Sequence, residues 1–188
     1  MFVLDSHCDT PSQIMRLRNL SVDNPYAHVD FPKLRAGGVD ASFFALYTPG
    51  TISPDAATRY ALEMLAGVND AVEAAPDMAA LANSPEEAYR NKAAGKTSVF
   101  VGMENGLPIQ GSLALLRQFY CMGVRYMTLT HNTDNQICDS AAEGHRWGGL
   151  SPFGRQVVAE MNRLGMIIDL AHASDATFYD CVRCSKAP

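Results

Sequence analysis

What this chain lacks narrows its reading first. Its 188 residues contain no run of Lys or Arg and carry a formal net charge of −5, which argues against nucleic acid and anionic membrane as partners. No stretch approaches the roughly 20 apolar residues that a bilayer-spanning helix needs. The apolar start Met1–Leu4 is short and has no basic residues around it, so no signal peptide is expected and the expected location is cytoplasmic. Cysteines are few, odd in number and scattered, at positions 8, 121, 138, 181 and 184, as suits reduced thiols. Cys181 and Cys184 form a C-x-x-C late in a predicted helix, where two packed thiols are expected rather than a redox or zinc pair. No G-x-G-x-x-G follows the first apolar run, which argues against a dinucleotide-binding sheet.

What is present is a globular composition, 47% hydrophobic and 19% charged, enough for one domain over residues 1–188 with a substantial core. Helix starts are marked by polar caps followed by proline or glutamate. They are expected at Thr10-Pro11, Asp30, Ser53-Pro54, Ser84-Pro85-Glu86-Glu87, Ser112, Ser151-Pro152 and Ser174-Asp175. The first of these helices is expected to show an apolar stripe of Ile14, Leu17 and Leu20. Between the helices lie short apolar or β-branched runs. They predict five strands: one ending at Asp9, then Val39–Tyr47, Thr97–Met103, Val124–Thr130 and Met166–Ala171. Strands alternating with capped helices imply a parallel sheet covered by helices. The fold class expected is α/β, a TIM-type (β/α)8 barrel present as about five β/α units, residues 1–188 being its N-terminal part.

In such a barrel the reactive side chains sit at the carboxyl ends of strands. Here the strand ends carry His7 and Asp9, Glu104, His131 and His172. Residues two apart on a strand share a face, so His7 and Asp9 project together, with Asp5 behind them and Cys8 turned away. An imidazole and a carboxylate side by side offer nitrogen and oxygen ligands to a divalent ion. Other readings stay open. Glu104 could pair with Arg125 or Arg146, His172 could be a capped core histidine, and His131 could bond the polar loop 132–150. Asp5 reads as an orienting partner, His28 and His145 as solvated or structural, and Asp169 as having the wrong parity; Asp134 and Asp139 are undecided. A water near divalent ions loses its proton readily, and those ions polarise a carbonyl under attack.

At these residues the chain resembles the renal-type membrane dipeptidases, zinc peptidases of the amidohydrolase-like barrel class. The stretches that carry the resemblance are D-S-H-C-D-T-P (5–11), F-P-K-L-R-A-G-G-V (31–39) and L-R-Q-F-Y-C-M-G-V-R-Y-M-T-L-T-H-N (116–132). G-L-S-P-F-G-R-Q-V-V-A-E-M-N-R-L-G-M-I-I-D-L-A-H (149–172) and S-D-A-T-F-Y-D (174–180) continue it. The resemblance implies hydrolysis of dipeptides, often with a D-residue tolerated at the C-terminal position. It implies that His7 and Asp9 bind one zinc, that Glu104 bridges both ions as the catalytic carboxylate, that His172 binds the second, and that His131 contacts the scissile carbonyl. Asn105-Gly106 departs from the two small residues of many relatives.

The family's next strand supplies a further histidine for the second zinc, then a substrate-binding arginine and an acidic residue. The sequence ends at Pro188, before that strand. The expectation is therefore an impaired or inactive chain with two unpaired sheet edges that self-associates or pairs with a complementing C-terminal half. Two alternatives accompany this reading: a non-catalytic metal-binding half-barrel, and a related metal-dependent hydrolase of another amide.

Overall fold

Short polar side chains set where the helices begin. Asp30 accepts from the Lys33 amide at 2.9 Å, Ser84 from Glu87 at 3.3 Å and Ser112 from Leu115 at 3.4 Å. Ser151 accepts from Gly154 at 2.8 Å and Ser174 from Thr177 at 3.2 Å. Each bond satisfies an amide that the first helical turn leaves without a partner. The computed structural model describes residues 1–143 and 145–187; Gly144 of the polar loop and the terminal Pro188 lie outside the described residues. Among the described residues no helix is long and apolar enough to cross a membrane. The chain forms two compact units, Met1–Leu46 with Leu62–Gly102, and Tyr47–Ala61 with Met103–Pro188.

The first unit holds β1 (Leu4–Cys8), α1 (Pro11–Ile14), α2 (Phe31–Ala36), β2 (Ala41–Tyr47, to Leu46), most of α3 (Pro54–Glu73), β3 (Ala79–Leu81), α4 (Pro85–Ala93) and β4 (Thr97–Glu104) to Gly102. Its strands are ordered β1-β2-β4, with β3 added to β4. β1 runs parallel to β2 through Leu4↔Ala41 and Cys8↔Phe44, with a register shift between Asp5 and Cys8. Phe43 stacks on Phe100 at 4.9 Å, Phe31 stacks on Phe44 at 6.4 Å, and Leu20, Phe31, Phe44 and Met64 are fully buried. Burying one such side chain is worth about 1.5–3 kcal/mol against leaving it exposed.

The second unit carries the end of β4, α5 (Leu113–Cys121), β5 (Val124–Thr128), α6 (Pro152–Leu164), β6 (Ile167–Asp169) and α7 (Asp175–Cys184). β5 and β6 are parallel through Tyr126↔Ile167 and Thr128↔Asp169. Leu116, Phe119, Met127, Leu129, Ile137, Val157, Val158 and Met161 form its core. Between β5 and α6 the chain makes a long polar loop organised by carboxylates. Asp134 accepts from the Ser140 and Arg146 amides, and Asp139 accepts from those of Trp147 and Gly149.

Four expectations need correcting. There are six strands among the described residues, because Ala79–Leu81 adds a short one. Its alanines have weak strand propensity and gave the pattern nothing to register. Thr10 does not cap α1: its hydroxyl lies 2.9 Å from Cys8 Sγ, and the helix ends after one turn. The stripe Ile14–Leu17–Leu20 therefore does not form; Leu17 is exposed with φ +62°. The last strand stops at Asp169 rather than Ala171.

Two constraints in the second unit are open to test. A Cβ on Gly154 would fall 2.1 Å from the Ile137 carbonyl oxygen, so Gly154→Ala should destabilise by about 1–3 kcal/mol, read from the midpoint of urea unfolding. Glu160 takes hydrogen bonds from Arg163 and Arg117, which hold its carboxyl at about 2, below the ordinary 4.5. With the folded value depressed, its contribution is complete above the unfolded pKa and fades as pH falls toward 2. Glu160→Gln should lower the urea midpoint at pH 7 and flatten its fall between pH 5 and 2, relative to the parent.

Candidate metal centre

β4 is buried along its whole length and ends at Glu104, which is 6% exposed. Its carbonyl accepts from the Thr48 amide at 3.2 Å. Asn105 then adopts φ +80°, a left-handed turn that asparagine tolerates better than most residues. On the same unit Glu104 Oε1 lies 3.3 Å from His172 Nε2 and 3.7 Å from His131 Nε2. The two imidazole rings are 4.2 Å apart at 46°, and the Tyr47 ring meets His131 edge-on at 4.9 Å. One carboxylate oxygen and two imidazole nitrogens thus fall within 4.8 Å of one another.

Neither histidine sits on a strand. His131 lies three residues past β5, and the Ser140 hydroxyl donates to its carbonyl at 2.5 Å. His172 lies three residues past β6 with φ +66°, a conformation that costs a residue with a Cβ roughly 1 kcal/mol or more. The turn is held from both sides. Ala141 N donates to the His172 carbonyl at 2.8 Å, and Asp169 Oδ1 accepts from the Ala171 amide at 3.0 Å. The strand expected to run up to His172 has ended at Asp169, so the imidazole takes its direction from the turn.

In the first unit His7 Nε2 lies 3.5 Å from Asp9 Oδ1, both partly open to solvent. Asp5 stands behind them, accepting from the Ser42 hydroxyl at 2.8 Å and the His7 amide at 3.3 Å. Cys8 is buried, and burial raises its thiol pKa. The projection of His7 with Asp9, away from Cys8, is thus seen in the structure. A cavity of about 330 Å³ adjoins Asp9 and is also lined by Thr10, Gln13, Arg18 and His28.

The other candidates are accounted for. Asp169 takes the Thr128 hydroxyl at 2.5 Å, and Asp134 and Asp139 order the polar loop. Arg125 donates to the Tyr120 and Val124 carbonyls, and the Arg146 guanidinium lies over Trp147. His28 and His145 are exposed. Sequence reasoning missed Tyr47, which closes a strand and carries no metal-ligating group. Its place after an aromatic run was the one available signal.

The model of the membrane dipeptidase family (peptidase family M19) matches residues 1–188. The chain belongs to this family. Dipeptidase aclJ of Aspergillus oryzae is 36% identical to it over 94% of the chain and 44% of its own length. An uncharacterized dipeptidase of Schizosaccharomyces pombe is 33% identical over 99% of the chain and 50% of its own length. The chain thus spans about half the length of these relatives. The solved dipeptidase AC, described as an M19 metallopeptidase, matches 100% of the chain and 61% of its own at TM-score 0.87 and 27% identity. A metallopeptidase from Rhodobacter sphaeroides, liganded with a phosphinate mimic of the dipeptide L-Ala-D-Ala, matches 100% of the chain and 63% of its own at TM-score 0.90 and 25% identity. The expected fold class, α/β of the TIM-type barrel kind and incomplete, is borne out by these matches, which take in the whole of the chain and about three fifths of each solved structure.

The strained turn makes a prediction. Glycine adopts positive φ freely, so His172→Gly should match or exceed the parent's stability without metal, by up to about 1 kcal/mol. Urea unfolding in chelator checks this; a variant clearly less stable would mean that the imidazole's packing outweighs the backbone strain.

Proposed function

We propose that this chain carries the metal-binding part of a zinc-dependent dipeptidase. Glu104 and His172 would hold one ion, and His7 and Asp9 would contribute ligands to another. The observation that carries this reading is the convergence of two imidazoles on the Glu104 carboxylate. A donor set of carboxylate oxygen and imidazole nitrogen suits zinc and similar divalent ions, so the residues present fit the group. A family whose solved members include a metallopeptidase with a dipeptide mimic supports the same substrate class here.

When bound, the ions lower the pKa of a water and polarise the scissile carbonyl. The chain's own groups do the rest. Glu104 supplies negative charge from a buried position, where an electrostatic contact is worth more than in water. It would also accept a hydrogen bond from the attacking water and orient it. His131, steadied by the Tyr47 ring, offers an Nε2 proton to the carbonyl oxygen as charge develops there. Asp5 receives the Ser42 hydroxyl and the His7 amide, and so fixes the strand that presents His7 and Asp9.

The test has two arms. Metal analysis of protein purified with added zinc should give up to two equivalents for the parent and fewer for Glu104→Gln and His172→Ala. Whatever hydrolysis of L-Ala-D-Ala the parent supports should fall by roughly a hundredfold or more in the same variants, while the metal arm stands independently of turnover. Equal metal content and equal turnover in the parent and both variants would overturn the assigned roles.

A further inference from the structure

Two side-chain amides are buried beside the segments that carry Glu104 and His131. Asn105 follows Glu104 and is fully buried; Asn135, four residues past His131, is 4% exposed. Asn135 Nδ2 donates to Asn105 Oδ1 at 3.1 Å and to the Leu129 carbonyl at 2.8 Å. Its Oδ1 accepts from the Ile137 amide at 2.7 Å and the Cys138 amide at 3.2 Å. Asn105 Oδ1 also accepts from Leu107 N at 3.1 Å, and its Nδ2 donates to the Thr48 carbonyl at 3.0 Å. Carbonyls stand on the nitrogen sides and backbone N–H groups on the oxygen sides, so both amide orientations follow from their surroundings.

The segments these bonds reach are the ones that bear the site. Thr48 follows Tyr47, which touches His131, and the Thr48 amide already donates to the Glu104 carbonyl. Leu129 lies two residues before His131. The corner has no slack: a Cβ on Gly106 would meet Ile137 Cδ1 at 2.3 Å and the Leu129 carbonyl oxygen at 2.9 Å. Only an amide both donates and accepts in this way. An aspartate at 135 would set its oxygens against the lone pairs of Asn105 Oδ1 and the Leu129 carbonyl.

We infer that Asn105 and Asn135 are positioning residues that fix the Glu104 carboxylate relative to the His131 imidazole. The inference rests on the metal reading above and goes beyond it by assigning roles to two residues that touch neither metal nor substrate. Groups that orient a ligand from behind change metal affinity when removed, typically by 10- to 100-fold. Coupled partners also show non-additive losses.

The test uses cobalt as the probe, because its visible absorption reports ligand geometry without turnover. Asn135→Ala and Asn105→Gly should each weaken cobalt binding by about tenfold and shift the absorption bands. The double variant should lose clearly less than the product of the two. Glycine at 105 keeps the left-handed backbone available, so this variant carries the test if Asn135→Ala does not fold. Ile137→Val, which loosens the same corner by one methylene, should leave the cobalt spectrum and affinity as in the parent. Parent-like cobalt binding in both asparagine variants would overturn the inference, as would an equal spectral shift in Ile137→Val. A parent that takes up no cobalt would fail the metal reading itself, and the inference would fall with it.

Discussion

A carboxylate buried at the end of a strand must find compensation for the water it has lost. At Glu104 that compensation comes from imidazoles on two turns, one contributed by His131 and one by His172. Much of the second unit is organised to bring them there. The Ser140 hydroxyl and the Ala141 amide of the loop donate to the carbonyls of His131 and His172, the Tyr47 ring meets one imidazole edge-on, and a buried amide pair fills the corner that follows the carboxylate. Such an arrangement is costly to leave partly satisfied. This is the physical reason that an ion with strong affinity for oxygen and nitrogen belongs in the reading of this site.

The thiols show the opposite use of burial. Cys181 is pushed up to about 12, and Cys138 is raised further, chiefly because each is enclosed by apolar surroundings. A thiol held protonated is a weak nucleophile and a weak metal ligand. Cys138, and Cys181 of the C-x-x-C in α7, are thus packing groups, whereas Cys184 is only half-buried.

The sequence made the punctuation and the strand ends legible, for local reasons. Ser84, Ser112, Ser151 and Ser174 cap helices by bonds that span only three residues, so their neighbours determine the outcome. Glu104 and His7 likewise close short runs that are visible in the letters, Thr97–Met103 before one and Met1–Leu4 near the other. What stayed hidden depends on partners distant in the chain. Thr10 gave up its cap for the Cys8 thiol. Ala79–Leu81 becomes a strand only because β4 offers an edge. His172 reads as a strand residue until Asp169, Ser140 and Ala141 bend it into a turn. Asn105 and Asn135 carry no periodic signal, since their value lies in a contact across 30 residues.

A side chain on a strand inherits its location from the ladder, whereas one on a left-handed turn borrows it from whatever grips the turn. For His172 the grip is Ser140 and Ala141, in the polar loop that begins just after His131. Any change that alters how Asp134 and Asp139 curl that loop will therefore travel to the imidazole of a residue well downstream. The loop and the imidazole behave mechanically as one part, and tolerance to mutation across 134–141 should resemble that of the buried corner around Glu104 rather than that of a surface connection.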